Sequence, residues 1–161
     1  MAAAAPTLKA RALHLLARRD YTRQELAQRL APHAADAAEL EAVLDECVRR
    51  GWLNEARAVE AHLRRRAAQR GSARLQAELR ERGVRDDDLL ASVALQLRAS
   101  EAERAQAAWA RRFGVAPRDA AERARQLRFL LARGFAPELA RHVVPAVAAD
   151  GPAGHGADEA T

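Results

Sequence analysis

Leu75-Gln76-Ala77-Glu78-Leu79-Arg80-Glu81-Arg82-Gly83-Val84 returns as Gln126-Leu127-Arg128-Phe129-Leu130-Leu131-Ala132-Arg133-Gly134-Phe135, and that echo decides the fold. Both stretches keep helical spacing of their leucines and end in Arg-Gly followed by an apolar residue, 51 positions apart. A glycine just past the last periodic residue reads as a helix stop, because glycine enters the left-handed conformation without steric cost. A fainter copy, Gln24-Glu25-Leu26-Ala27-Gln28-Arg29-Leu30, sets Leu30 49 positions before Leu79. Self-similarity at a period of about 50 residues predicts repeated structural units.

Start and stop signals divide the chain further. Thr22 with Glu25, Ser100 with Glu103, and Asp119 with Glu122 have the capping-box spacing, in which a side-chain oxygen accepts an otherwise orphaned backbone N–H. Asp36, Asn54, Ser72 and Asp86 are further candidate caps, Pro137 suits a first helical position, and Gly51, Gly71, Gly83, Gly114 and Gly134 are candidate stops. These marks predict nine helices, over 7–18, 22–30, 36–50, 54–69, 72–82, 86–98, 100–112, 119–133 and 137–147. Grouped by the repeat, they form three tandem three-helix repeats over 8–53, 54–98 and 99–147, between a disordered N-terminus at 1–7 and a disordered acidic tail at 148–161. The expected fold is all-α, elongated and modular.

Composition supports helices over strands. Of 161 residues, 49% are hydrophobic, but alanine supplies 42 of them, with 20 Leu, 9 Val and no Ile. So little bulky apolar material makes each three-helix unit marginal alone, and neighbouring units are expected to pack end to end. No apolar run is long enough to span a membrane, and the Met1–Pro6 start lacks the basic and apolar parts of a signal peptide, so a cytoplasmic chain is expected. It is expected to act as a monomer. Cys47 is alone and reads as a buried structural thiol.

The formal charge is +5, and 26 of the 27 basic residues are arginine. Distribution says more than the total: residues 57–82 alone carry a +5 excess and residues 99–147 carry +4, whereas the tail from 148 carries −3. A positive field in the middle and third quarter suits an anionic partner.

Ala12-Leu13-His14-Leu15-Leu16-Ala17-Arg18-Arg19-Asp20-Tyr21-Thr22-Arg23-Gln24-Glu25-Leu26, then Gly51-Trp52-Leu53-Asn54-Glu55-Ala56-Arg57, then Gly71-Ser72-Ala73-Arg74-Leu75 on to Arg82-Gly83-Val84, and last Arg125 through Phe135, form an ordered set of four stretches. Together they resemble the RecX family, regulators of the RecA recombinase. The match spans about residues 8–147. It departs from the pattern at Ala58 and His62, where the family usually carries aromatics. The resemblance implies a non-enzymatic modulator that binds the RecA nucleoprotein filament and suppresses ATP hydrolysis, strand exchange and repressor co-cleavage, by groove binding, filament capping or both.

The arginines are the candidate partner-binding residues. Arg57 and Arg64 fall within about 20° on a helical wheel, with Arg65 about 80° away, so the three are expected on one exposed surface. Arg66 lies nearer the apolar side, and Arg70 and Arg74 flank the turn at Gly71. A second set centres on Arg125 and Arg128, with Arg111, Arg112, Arg118, Arg123, Arg133 and Arg141 around them. Guanidinium groups pair equally well with protein carboxylates or with phosphates, so single- or double-stranded DNA stands as a further partner. The contrasting functional reading is a helix-turn-helix-like DNA-binding regulator acting without RecA, and a third is a helical adaptor for another acidic protein.

Other chemistry finds little footing. Asp86-Asp87-Asp88 suits a first helical turn better than a metal site, since adjacent helical residues diverge by about 100°. His14, His33, His62, His142 and His155 have no metal-binding spacing, and Trp52 and Trp109 read as packing between units rather than base-stacking platforms. There is no phosphate loop and no nucleophile elbow, so neither cofactor nor catalytic residue is expected.

Overall fold

A computed structural model describes residues 5–147, and the tail expected at 148–161 and the first four residues lie outside them. Among the described residues the chain forms nine α-helices and no strand: α1 Leu8–Leu16, α2 Arg23–Leu30, α3 Ala37–Arg49, α4 Glu55–Arg66, α5 Ser72–Glu81, α6 Asp87–Ala99, α7 Glu101–Arg112, α8 Ala120–Ala132 and α9 Pro137–Val143. Each of the nine expected helices is present. The differences lie at ends: 3₁₀ turns occupy Ala31–His33 and Ala67–Gln69, and α9 stops at Val143.

The capping signals explain most boundaries. Thr22 accepts the Glu25 amide while Glu25 accepts the Thr22 amide, and Asp36, Asn54, Asp86 and Asp119 each accept an amide three residues on. Two expected caps differ. Ser100 also ends α6, and its hydroxyl accepts from Arg104 Nε instead of capping α7. Ser72 is the first residue of α5 and accepts from Arg104 Nη2, so Gly71 occupies the cap position. Gly51, Gly83, Gly114 and Gly134 have positive φ as helix stops require, whereas Gly71 does not. Gly71 is buried for another reason: a Cβ there would stand 2.1 Å from the backbone of Gly134.

Three consecutive helices wrap each of three leucine-based cores. Leu26, Leu30 and Leu44 centre the first, Leu75, Leu79 and Val84 the second, and Leu130, Phe135 and Ala140 the third. The residues matched by the repeat, Leu30, Leu79 and Leu130, are all 0% exposed, so the sequence register is also the packing register. Trp52 packs against the first core and Trp109 lies in the third, which corrects the expectation that they pack between units. Trp109 Nε1 is satisfied within its own unit by Gln126 Oε1 at 2.8 Å. Cys47 is buried in the first core, and burial pushes its thiol up.

The joints between units repeat as well. Helices α5 and α8 end in the same motif: Val84 N–H reaches Leu79 O and Gly83 N–H reaches Arg80 O, as Phe135 does to Leu130 and Gly134 to Leu131. This arrangement leaves the Arg82 and Arg133 carbonyls pointing outward, and each accepts from the start of the preceding unit's second helix. The donors are the Thr22 hydroxyl and the Gly71 amide. A second pair of bonds completes each joint: Glu55 Oε1 accepts from Arg23 N at 3.4 Å, and Glu101 Oε1 accepts from Ser72 N at 2.9 Å.

Candidate protein-interaction surface

Arginines project from these units in three environments. At the end of α4, Arg64, Arg65 and Arg66 are all exposed, and Arg64 Nη1 pairs with Glu60 one turn back at 2.7 Å. Arg66 therefore belongs with the exposed group and not with the apolar side where the helical wheel set it. Arg57 departs from that surface. Its Nε bonds Asp20 at 3.1 Å, and its Nη2 reaches the carbonyls of Gly51 and Trp52, so it ties α4 to the first unit.

Arg70 and Arg74 converge on one carboxylate, Glu78, at 3.9 and 3.2 Å. Glu78 is also bonded to His62 Nε2 at 2.9 Å, while the other ring nitrogen, Nδ1, faces Arg82 Nη1. Guanidinium only donates, so Nδ1 must accept, and the ring is neutral with its proton on Nε2 facing Glu78. Burial and the Arg82 charge together hold His62 below its ordinary value of 6.5 against the opposing pull of Glu78. Arg82 continues across the joint to Glu25 Oε1 at 3.0 Å. Burial alone would raise Glu25, but hydrogen bonds from Arg82 and Thr22 outweigh it and leave the carboxyl lowered. Ala58 and His62, where the family pattern has aromatics, are thus both buried, with His62 serving a polar network.

Arg125 and Arg128 lie one turn apart on α8 and line an open cleft of about 830 Å³ with Arg112, Arg118, Phe113 and Val115. Among the described residues Glu122 is the one carboxylate in its lining, and Arg118 neutralises it through Nη2 at 2.6 Å and the backbone amide at 2.9 Å. Those bonds hold the Glu122 carboxyl down at about 2. A second hollow of about 300 Å³ adjoins, sharing Arg112 and Phe129 and adding Arg111 and Arg133. Burial, then the like charges of Arg70 and Arg112, push Arg133 below the usual guanidinium value. The structure therefore brings Arg125 and Arg128 together at one cleft, whereas Arg70 turns to Glu78.

Arg104 was not among the sequence candidates. It is a half-buried guanidinium that donates to Leu97 O at 2.8 Å, to Ala67 O at 3.1 Å and to the Arg70 carbonyl, clamping the third unit onto the second. No pattern in the sequence separates it from 25 other arginines.

Relatives match this architecture. The model for the third three-helix domain of RecX matches residues 99–144, and that for its first three-helix domain matches residues 9–47. The regulatory protein RecX of Leptothrix cholodnii is 49% identical over 138 residues, which cover 86% of this chain and 87% of that protein. The chain belongs to the RecX family. A RecX of Ralstonia nicotianae is 47% identical over 86% of each chain. The crystal structure of RecX from Lactobacillus salivarius superposes with a TM-score of 0.70 at 16% identity, covering 84% of this chain and 91% of that one, which shows a shared fold. RecX proteins are regulatory proteins by name, and among the described residues no helix is long and apolar enough to cross a membrane. Asp86, in the acidic run, caps Leu89 N at 3.0 Å.

Proposed function

We propose that this chain binds the RecA nucleoprotein filament and modulates it, mainly by inhibiting ATP hydrolysis, recombination and co-protease activity in DNA repair and the SOS response. Membership of the RecX family carries the reading, and the exposed arginines of the second and third units supply the chemistry. A monomer in the cytoplasm would lay Arg64, Arg65, Arg66, Arg125 and Arg128 against acidic filament surfaces, and the enclosed DNA is a further anionic contact. The hydrogen-bonded joints fix the relation of one unit to the next. A body so held can span neighbouring subunits and keep them in one arrangement, which suppresses turnover.

The test is RecA's single-stranded-DNA-dependent ATP hydrolysis, titrated with this protein. Inhibition well below one copy per RecA subunit supports the reading and favours action on filament growth. No inhibition, together with salt-sensitive binding to bare duplex, moves the assignment to a DNA-binding regulator.

A further inference from the structure

The geometry points to the cleft between α7 and α8 as a docking site for an acidic segment of a partner protein that also carries a bulky apolar residue. Among the described residues, four guanidiniums against one neutralised carboxylate leave the cleft strongly positive. Arg112, Arg125 and Arg128 have no ion pair among the described residues, so their donors are available to carboxylates. The wall is not wholly polar: Phe113 is half-buried in it and Val115 is 69% exposed at its rim. An exposed Val beside a phenyl ring leaves an apolar surface that a carboxylate alone does not cover.

Nucleic acid fits this cleft less well. Phe113 and Phe129 meet edge to face at 5.1 Å, Arg133 sits over the Phe129 ring at 3.6 Å, and Arg112 sits over Phe113 at 5.5 Å. The rings are already engaged with cations and with each other, which removes the open platform that successive bases need. The chain's own residues 148–161 have the right charge, but apart from Pro152 their apolar side chains are all alanine, with no Leu, Val, Phe or other bulky group. A partner segment therefore answers both halves of the surface. The inference rests on the regulatory reading only for which partner supplies the segment.

The probe is a short fluorescein-labelled peptide of alternating Asp, Phe, Glu and Leu, read by anisotropy with the full chain at ~0.1 M salt. Saturable binding is expected, about tenfold tighter than that of an all-Glu peptide of the same length and about tenfold weaker for Arg125→Glu with Arg128→Glu. Circular dichroism checks that this variant is folded, and Arg49→Glu on α3 is the control expected to leave binding unchanged. Equal affinity for the all-Glu peptide, stronger competition by oligothymidine, or no saturation each overturns the inference. So does about a tenfold gain on Asp150→Asn, Asp158→Asn and Glu159→Gln together, which would give the cleft to the chain's own tail. A wild-type chain that inhibits RecA but ignores the peptide sinks the cleft alone; one that binds the peptide but leaves RecA untouched sinks the regulatory reading alone.

Discussion

The backbone amide of Gly71 donates to the carbonyl oxygen of Arg133 at 2.8 Å, and it does so at the place in the second joint where the Thr22 hydroxyl meets Arg82 in the first. Two joints built to one plan make the relation between units a property of the repeat. At the second joint the approach is backbone to backbone, with no side chain between.

Gly71→Ala should therefore be among the most damaging small substitutions in the chain. Its Cβ would stand 2.1 Å from the Gly134 backbone and 2.3 Å from Phe135 N, atoms that cannot rotate away. Separation of the two units should cost about 1–3 kcal/mol, as forced overpacking does. Urea unfolding followed by far-UV circular dichroism measures it, and an unchanged midpoint would show that the joint does not contribute to stability.

Arg82 joins Glu25 of the first unit to His62 of the second, with its side chain mostly buried. Arg82→Met keeps the stem but leaves Glu25 without its strongest partner. We expect a loss of about 3 kcal/mol, the scale for breaking a buried pair by removing one member. In the double variant with Glu25→Gln part of that loss should return, and a thermodynamic cycle reads the coupling.

His62 predicts how stability depends on pH. Its folded value is depressed, so below its ordinary value of 6.5 the unfolded chain takes up a proton that the folded chain refuses. Stability from this site is then full above that value and falls as pH drops from there toward the lower folded value. Denaturant titrations on either side of 6.5 should show the slope, and His62→Gln should flatten it.

Arg64→Glu with Arg65→Glu should weaken inhibition of RecA while leaving the circular-dichroism melt unchanged, since both side chains are exposed. Reversing two charges at a protein interface should cost about tenfold or more in affinity. Unchanged inhibition would remove these residues from the contact surface.

Helices, cores and the repeat were legible in the sequence because each rests on local physics. Leucine spacing marks the buried face, Thr22, Asp36, Asn54, Asp86 and Asp119 satisfy amides three residues away, and Gly83 and Gly134 take a φ few other residues tolerate. Ser100 and Ser72 misled the same reasoning, because Arg104, distant in sequence from Ser72, claims both hydroxyls.

Charge was legible only as a total per segment. A helical wheel put Arg57 beside Arg64, yet Asp20, 37 residues earlier in the chain, draws Arg57 onto the first unit. Which arginine is consumed by a carboxylate and which is left for a partner depends on contacts between units, and long flexible side chains respond to those contacts more than to helical phase. The sequence by itself determined the nine helices, the period and the family, since these follow from hydrogen bonding and burial within each unit. Tertiary structure alone decided the joints, the neutral His62 and the cleft beside Phe113, because each is made by residues that meet only after the helices have packed.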